Sequence, residues 1–164
     1  MFKVNEIVVH KCDICKITEI KKDFRLGEDY YTLTPIEDSS LIINTPVSNT
    51  RGLLRKVISK KDAEAVIQRI PEIQTIEPCD DRAMENKYNS LINTGNHEDL
   101  IQIIKTTYLR NKDKTDNGKK LSEKDKRYFR QAEKIFYSEL SIALNKTYDE
   151  TKDYIANKMS SLDI

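Results

Sequence analysis

Histidine and cysteine at metal-ligand spacing are the first residues here that could do chemistry. His10, Cys12 and Cys15 lie in the stretch "HKCDICK", and a C-x2-C pair beside a histidine is half of a zinc site. The other half is missing. Only Cys79 and His97 remain as soft ligands, and neither belongs to a second closely spaced pair. Three extended residues span roughly 10 Å, too far for one ion unless the turn is tight. The expectation is no metal, with Cys15 a buried apolar side chain inside a strand. Catalytic patterns are missing as well. The four glycines form no phosphate loop, and there is no G-x-S-x-G. Cys79 stands beside Asp80 and Asp81, which do not stabilise a thiolate. Neither an enzyme nor a cofactor is expected.

Charge is the second chemical signal. Net charge is only +1, yet it is unevenly placed. Between Lys105 and Lys134 eleven basic residues face five acidic ones, a local +6, whereas Pro71 to Ile104 carries two basic and seven acidic residues, a local −5. A basic block can hold an anionic polymer even when the whole chain is neutral, and it can equally be a solvated helix face. No apolar run approaches the roughly 20 residues needed to cross a bilayer. The opening residues lack a basic segment followed by an apolar one, so no signal peptide is expected. With three cysteines and no export signal, reduced thiols and a cytoplasmic location are expected.

The elements that position these residues fall into two groups. Residues 1–58 carry short β-branched runs, "EIVVH", "ICKITEI", "DYYTLTPI" and "SLIINTP", separated by turn signals at 25–29 and 37–40. Four or five strands in that length imply a small barrel or bent antiparallel sheet. Pro35 and Pro46 suit strand ends.

From Ser59 the period becomes helical. Ser59, with Asp62 three residues on, predicts a cap for a helix with Ala63, Val66, Ile67 and Ile70 inward. Asp80 or Asp81 caps the next helix, which ends at Gly95. Asn96 caps a third, with Leu100, Ile103, Ile104 and Thr107 inward, and "DKTDNGKK" reads as a polar turn. Ser122 and Asp125 start a long helix to about Asn145, and Thr147 or Asp149 starts the last. On the long helix, at ~100° per residue, Tyr128, Ala132, Ile135, Phe136, Leu140 and Ala143 share one side. Arg127, Arg130 and Lys134 share the other, with Lys124 and Lys126 at its margins. The class is α+β, a β module followed by an all-α module of about five helices.

Ordered motifs then point to a family. "FKVNEIVVHKCDICKITEI" is similar to an opening F-K-x-G-D-x-V-V-Y followed by a turn and G-V-x-x-I. "KYNSLINTGNHEDLIQIIKTTYLRNKDK" and "LSEKDKRYFRQAEKIFYSELSIAL" resemble Y-x-x-x-L-x-x-G-x-x-x-x-L-x-x-V-I-R-x-L and L-S-x-x-E-K-x-x-x-x-x-A-x-x-I-L-x-x-E-L-x-x-A. Over nearly its whole length the chain resembles the CarD family of bacterial transcription regulators, whose N-terminal module is shared with the transcription-repair coupling factor.

The resemblance implies a Tudor-like module, residues 1–58, that binds the β subunit of RNA polymerase, partly by edge-strand pairing. It implies a helical module, residues 59–164, that contacts promoter DNA at the upstream edge of the melted bubble with little sequence preference. The implied factor modulates open-complex stability; separately, a monomer without membrane contact is expected. The alternative is a polymerase-binding adaptor without DNA contact.

Carried over residue by residue, the family's wedge Trp falls at Met84, an apolar side chain without the indole surface. The neighbouring basic position is kept as Lys87, and the basic residue after the L-S motif as Lys126, with Arg127 beside it. Arg130, on the same cationic face, completes the expected phosphate contacts. On the polymerase side two basic positions are changed to Asp23 and Asn44, with Lys22 and Arg25 nearby, so Lys22, Arg25 and Asn44 are the expected contacts. The family glycines of the two opening motifs are replaced by Asn5 and Asp13. A weaker DNA grip than the family's is expected.

Overall fold

The computed structural model describes residues 1–120 and 122–161. The chain divides into two compact units, Met1–Ile58 and Ser59–Ile164.

The first unit is an antiparallel sheet of five strands, β1 (Ile7–His10), β2 (Asp13–Arg25), β3 (Glu28–Pro35), β4 (Ile43–Pro46) and β5 (Leu54–Lys56), in the order β4-β3-β2-β1-β5. Both prolines end their strands. Val8, Cys15, Ile17, Tyr31, Leu33 and Leu54 form the core, with Phe2, Ile20, Ile43 and Val47 around it.

The imperfect alternation of "ICKITEI" has a structural cause. Ile17 pairs with Leu33 but Ile20 pairs with Tyr31, with a register shift between Ile17 and Glu19. The extra residue is Thr18, whose hydroxyl donates to the Thr32 carbonyl at 3.2 Å. Strict period-two alternation would put Ile20 on the face opposite Ile17, and the bulge returns it to the core side.

The turns show where left-handed backbone is needed. Asn5, at a position where the resemblance implies a glycine, has φ 74°, a region asparagine tolerates better than most residues. Asp13 does not need that freedom: it opens β2 paired with His10, and the left-handed residue of the turn is Lys11, at φ 56°. The β2–β3 hairpin turns on Leu26 (φ 53°) and Gly27 (φ 77°), a two-residue loop of the kind that favours Asn-Gly. A second bulge places Asp23 at φ 47°. Asp29 accepts from its N–H at 3.0 Å and from Lys22 Nζ at 2.9 Å, which holds the bulge.

The second unit contains α1 (Lys60–Arg69), a short 3-10 turn (Ile70–Glu72), α2 (Asp81–Thr94), α3 (His97–Asp116), α4 (Glu123–Leu144) and α5 (Tyr148–Ser161). Side-chain oxygens cap four of them. Ser59 accepts from the Asp62 N–H, Asp80 from Ala83, Ser122 from Asp125 and Thr147 from Glu150. Gly95 ends α2 at φ 67°.

Helix α3 differs from expectation in three respects. Asn96 occupies the cap position but makes no capping bond. Its amide donates to Asp99, which also accepts from Thr94 at 2.6 Å. Ile101 is buried while Ile104 is only half-buried, so the stripe is rotated toward the side that α2 and α4 cover. The helix also continues through Asp116, into the segment read as a turn, and stops at Asn117 and Gly118. Lys112 and Lys114 are good helix formers, and no proline or glycine intervenes before Gly118.

Helix α4 packs against α1, α2, α3 and α5. Its buried residues are Tyr128, Ala132, Phe136, Leu140 and Leu144, with Ile135 and Ala143 only half-buried. Three acids are buried on it as well, Asp125, Glu133 and Glu139. Each has a partner: Arg110 for Asp125, Lys152 for Glu133 at 2.6 Å and His97 for Glu139 at 2.9 Å.

Candidate nucleic-acid interface

The expected phosphate-contacting residues sit on α2 and α4, and the packing of these helices decides which are available. Asp125, 2% exposed, is the hub. Tyr88 Oη donates to it at 3.0 Å and Arg110 Nε at 3.0 Å. Arg110 also reaches toward Asp81, at 4.0 Å. Burial, and then the Asp125 charge, push the Tyr88 phenol well above its ordinary range, so it stays a donor. Arg110 is thereby drawn out of the basic block into the interior. The Ser122–Asp125 capping box is half of what the sequence predicts: the backbone bond forms, and the carboxylate turns inward to Tyr88 and Arg110.

Lys105 leaves the block in another way. Its ammonium donates to the carbonyls of Ile70 and Ile73, each at 2.8 Å, and of Pro71 at 3.3 Å. Burial lowers its pKa. Together with Thr106 Oγ1, which accepts from the Ile76 N–H at 2.9 Å, Lys105 ties the 70–80 connection to α3.

At the exposed start of α4 the cations meet Glu85 of α2. Lys124 Nζ lies 2.6 Å from Glu85 Oε2 and Arg127 Nη2 lies 3.3 Å from Oε1. The hydrogen bond from Lys124 is the main reason the Glu85 carboxyl lies below its ordinary pKa. Arg127 also lies over the Tyr128 ring, 5.0 Å from its centroid. Lys126 pairs with Glu123 at 3.2 Å, one turn back. Arg130 is exposed and makes no ion pair among the described residues.

Lys87 does not join this group. On α2 it stands about 160° from Glu85, beside a cavity of about 370 Å³ lined by Thr75, Ile76, Glu77, Ser90, Leu91 and Gln102. Met84 is 2% exposed. It lies in the wall of a second cavity, about 240 Å³, shared with Tyr88, Arg110, Ser122, Lys124 and Asp125. In this conformation its side chain is not available as a wedge between base steps. Its thioether lies buried between α2 and α4, lining that cavity with residues of both helices.

The residues expected to meet the polymerase lie in the sheet unit. Lys22 is exposed and held by Asp29, Arg25 is exposed beside the hairpin tip, and Asn44 lies on the edge strand β4. Asn44 Oδ1 accepts from Thr32 Oγ1 at 3.1 Å.

Of the metal candidates, Cys15 is fully buried. Burial raises its thiol to about 11, and its Sγ contacts the Asp13 carbonyl at 3.7 Å. Among the described residues no three His, Cys, Asp or Glu side chains converge as a metal site would require, and no helix is long and apolar enough to cross a membrane.

Sequence reasoning missed the Glu85 clamp and the Tyr88–Asp125–Arg110 hub. The only available signal was an acidic segment followed by a basic one of similar size.

The sequence model described as "CarD, C-terminal domain" matches residues 65–156. Met84, Lys87, Lys126, Arg127 and Arg130 lie inside that range; Lys22, Arg25 and Asn44 lie outside it. No curated protein matches the chain.

Proposed function

Because the chain belongs to the CarD family, a non-enzymatic, transcription-associated family, we propose that it is a cytoplasmic regulator of transcription initiation that binds RNA polymerase and promoter DNA together. The sheet unit takes the β subunit through β4 and through Lys22, Arg25 and Asn44. The helical unit takes phosphates near the upstream edge of the melted DNA through Lys126, Arg127 and Arg130 of α4, with Lys87 a separate contact from another face of α2. Met84 contributes from beneath, by setting the spacing of α2 and α4. A factor that touches both partners shifts the closed–open equilibrium only by its differential affinity for the open form.

The observation that carries the DNA part is the exposed cationic face of α4, where Arg130 stands unpaired beside Arg127. Each neutralised phosphate releases counterion. The test is promoter-complex lifetime with full-length protein, polymerase and increasing salt. K126E/R130E should shorten the lifetime and flatten its salt dependence. An unchanged lifetime and slope would remove the DNA contact.

One observation favours the adaptor reading. Lys124, Lys126 and Arg127 already have carboxylate partners within the chain. A mobility shift with polymerase and forked promoter DNA separates the two. An adaptor supershifts the complex equally well when K126E/R130E is used.

A further inference from the structure

The helix-forming cations of α4 are not all equivalent, and Glu85 is the reason. Its carboxylate presents two oxygens to two cations, Lys124 at 2.6 Å and Arg127 at 3.3 Å. The two cations are one turn apart on α4, 53% and 60% exposed, while Glu85 reaches them from α2 and is 31% exposed. A phosphodiester offers the same pattern, two terminal oxygens sharing one negative charge. Resting on the nucleic-acid reading above, we propose that Lys124 and Arg127 form a phosphate site that Glu85 occupies in the free protein, and that a DNA backbone phosphate takes this site by displacing the carboxylate.

Physical chemistry makes the exchange cheap in both directions. Ion pairs this exposed contribute little to stability, so opening the clamp leaves the fold intact. Tyr128, beneath Arg127 at 5.0 Å, keeps the guanidinium in place once Glu85 has left. Lys124 and Arg127 then stand beside exposed Arg130; of the other acids around that cavity, Glu123 is engaged by Lys126, Asp125 by Tyr88 and Arg110, and Asp81 faces Arg110 at 4.0 Å. The released carboxylate takes up a cation from solution, which offsets part of the counterion release expected from a new phosphate contact. Glu85 therefore sets both the strength and the salt sensitivity of the grip.

The experiment is fluorescence anisotropy of the full-length chain with a forked duplex across a salt series. E85Q should bind roughly twofold to fivefold tighter, the range of one exposed ion pair, with a log–log salt slope steeper by about one. D81N, one turn earlier on the same helix and 90% exposed, removes the same charge without freeing Lys124 or Arg127, and should gain clearly less. E85Q/K124Q/R127Q should lose the gain. The proposal is overturned if E85Q binds no tighter than the unmodified chain, or if D81N matches it. Failure of the unmodified chain and of E85Q to bind at all overturns this inference together with the DNA reading. Binding weakened by K126E/R130E but indifferent to E85Q leaves the DNA reading standing alone.

Discussion

Single side chains in this protein are governed by who shares their burial. His10 shows it in the sheet unit. It is 7% exposed, and burial, reinforced by Lys11 and opposed by Asp13, lowers its pKa below the ordinary 6.5. The folded form therefore binds fewer protons than the unfolded chain near that value. Stability is complete above the unfolded pKa and declines as pH falls through 6.5 toward the lower folded pKa. His10→Phe should remove this decline. Urea midpoints taken at about pH 8 and about pH 5 should differ less for the variant than for the parent. An equal difference would mean that His10 is hydrated. Met84 makes the same point for function. Its apolar character was readable, but only its neighbours decide whether it faces DNA or the core.

Among the elements, the β2–β3 hairpin carries the clearest local conflict. Leu26 is 98% exposed at φ 53°, a backbone region that disfavours a branched side chain. It gains no burial in return. Leu26→Asn should raise stability by about 0.5–1 kcal/mol, read as a higher urea midpoint with unchanged slope. If Leu26 contacts the polymerase, the same variant binds it more weakly, and the strain then has a function. A lower midpoint would show that the backbone is not strained there. Helix α4 carries the opposite kind of information: its ends, capped by Ser122 and Asn145, are local and were foreseen, while its three buried acids were not.

Taken whole, the molecule cancels its own charge pattern. The acidic stretch supplies Asp81 and Glu85, which answer Arg110, Lys124 and Arg127 of the basic stretch, while Glu98 answers Arg69. The +6 block is therefore much less cationic when folded than its composition implies. DNA binding should then show a shallow log–log salt slope, about −2 to −4 for two to four neutralised phosphates. A slope of about −6 or steeper in a salt titration would mean that these carboxylates do not neutralise the block in the free protein.

Four helix caps, the strand runs, the two-part organisation and the family were written in the sequence; the Asn96 cap was not. Each depends on residues a few positions apart or on ordered motifs. Ser59 and Ser122 meet their amides three residues on, whatever the rest of the chain does. The tertiary structure alone decided which cations remain free, which acid neutralises them and that Met84 is buried. Those outcomes rest on contacts such as Lys124 with Glu85 and Tyr88 with Asp125, 39 and 37 residues apart. No local period encodes such pairs, because they exist only once α2, α3 and α4 have packed and excluded water between them.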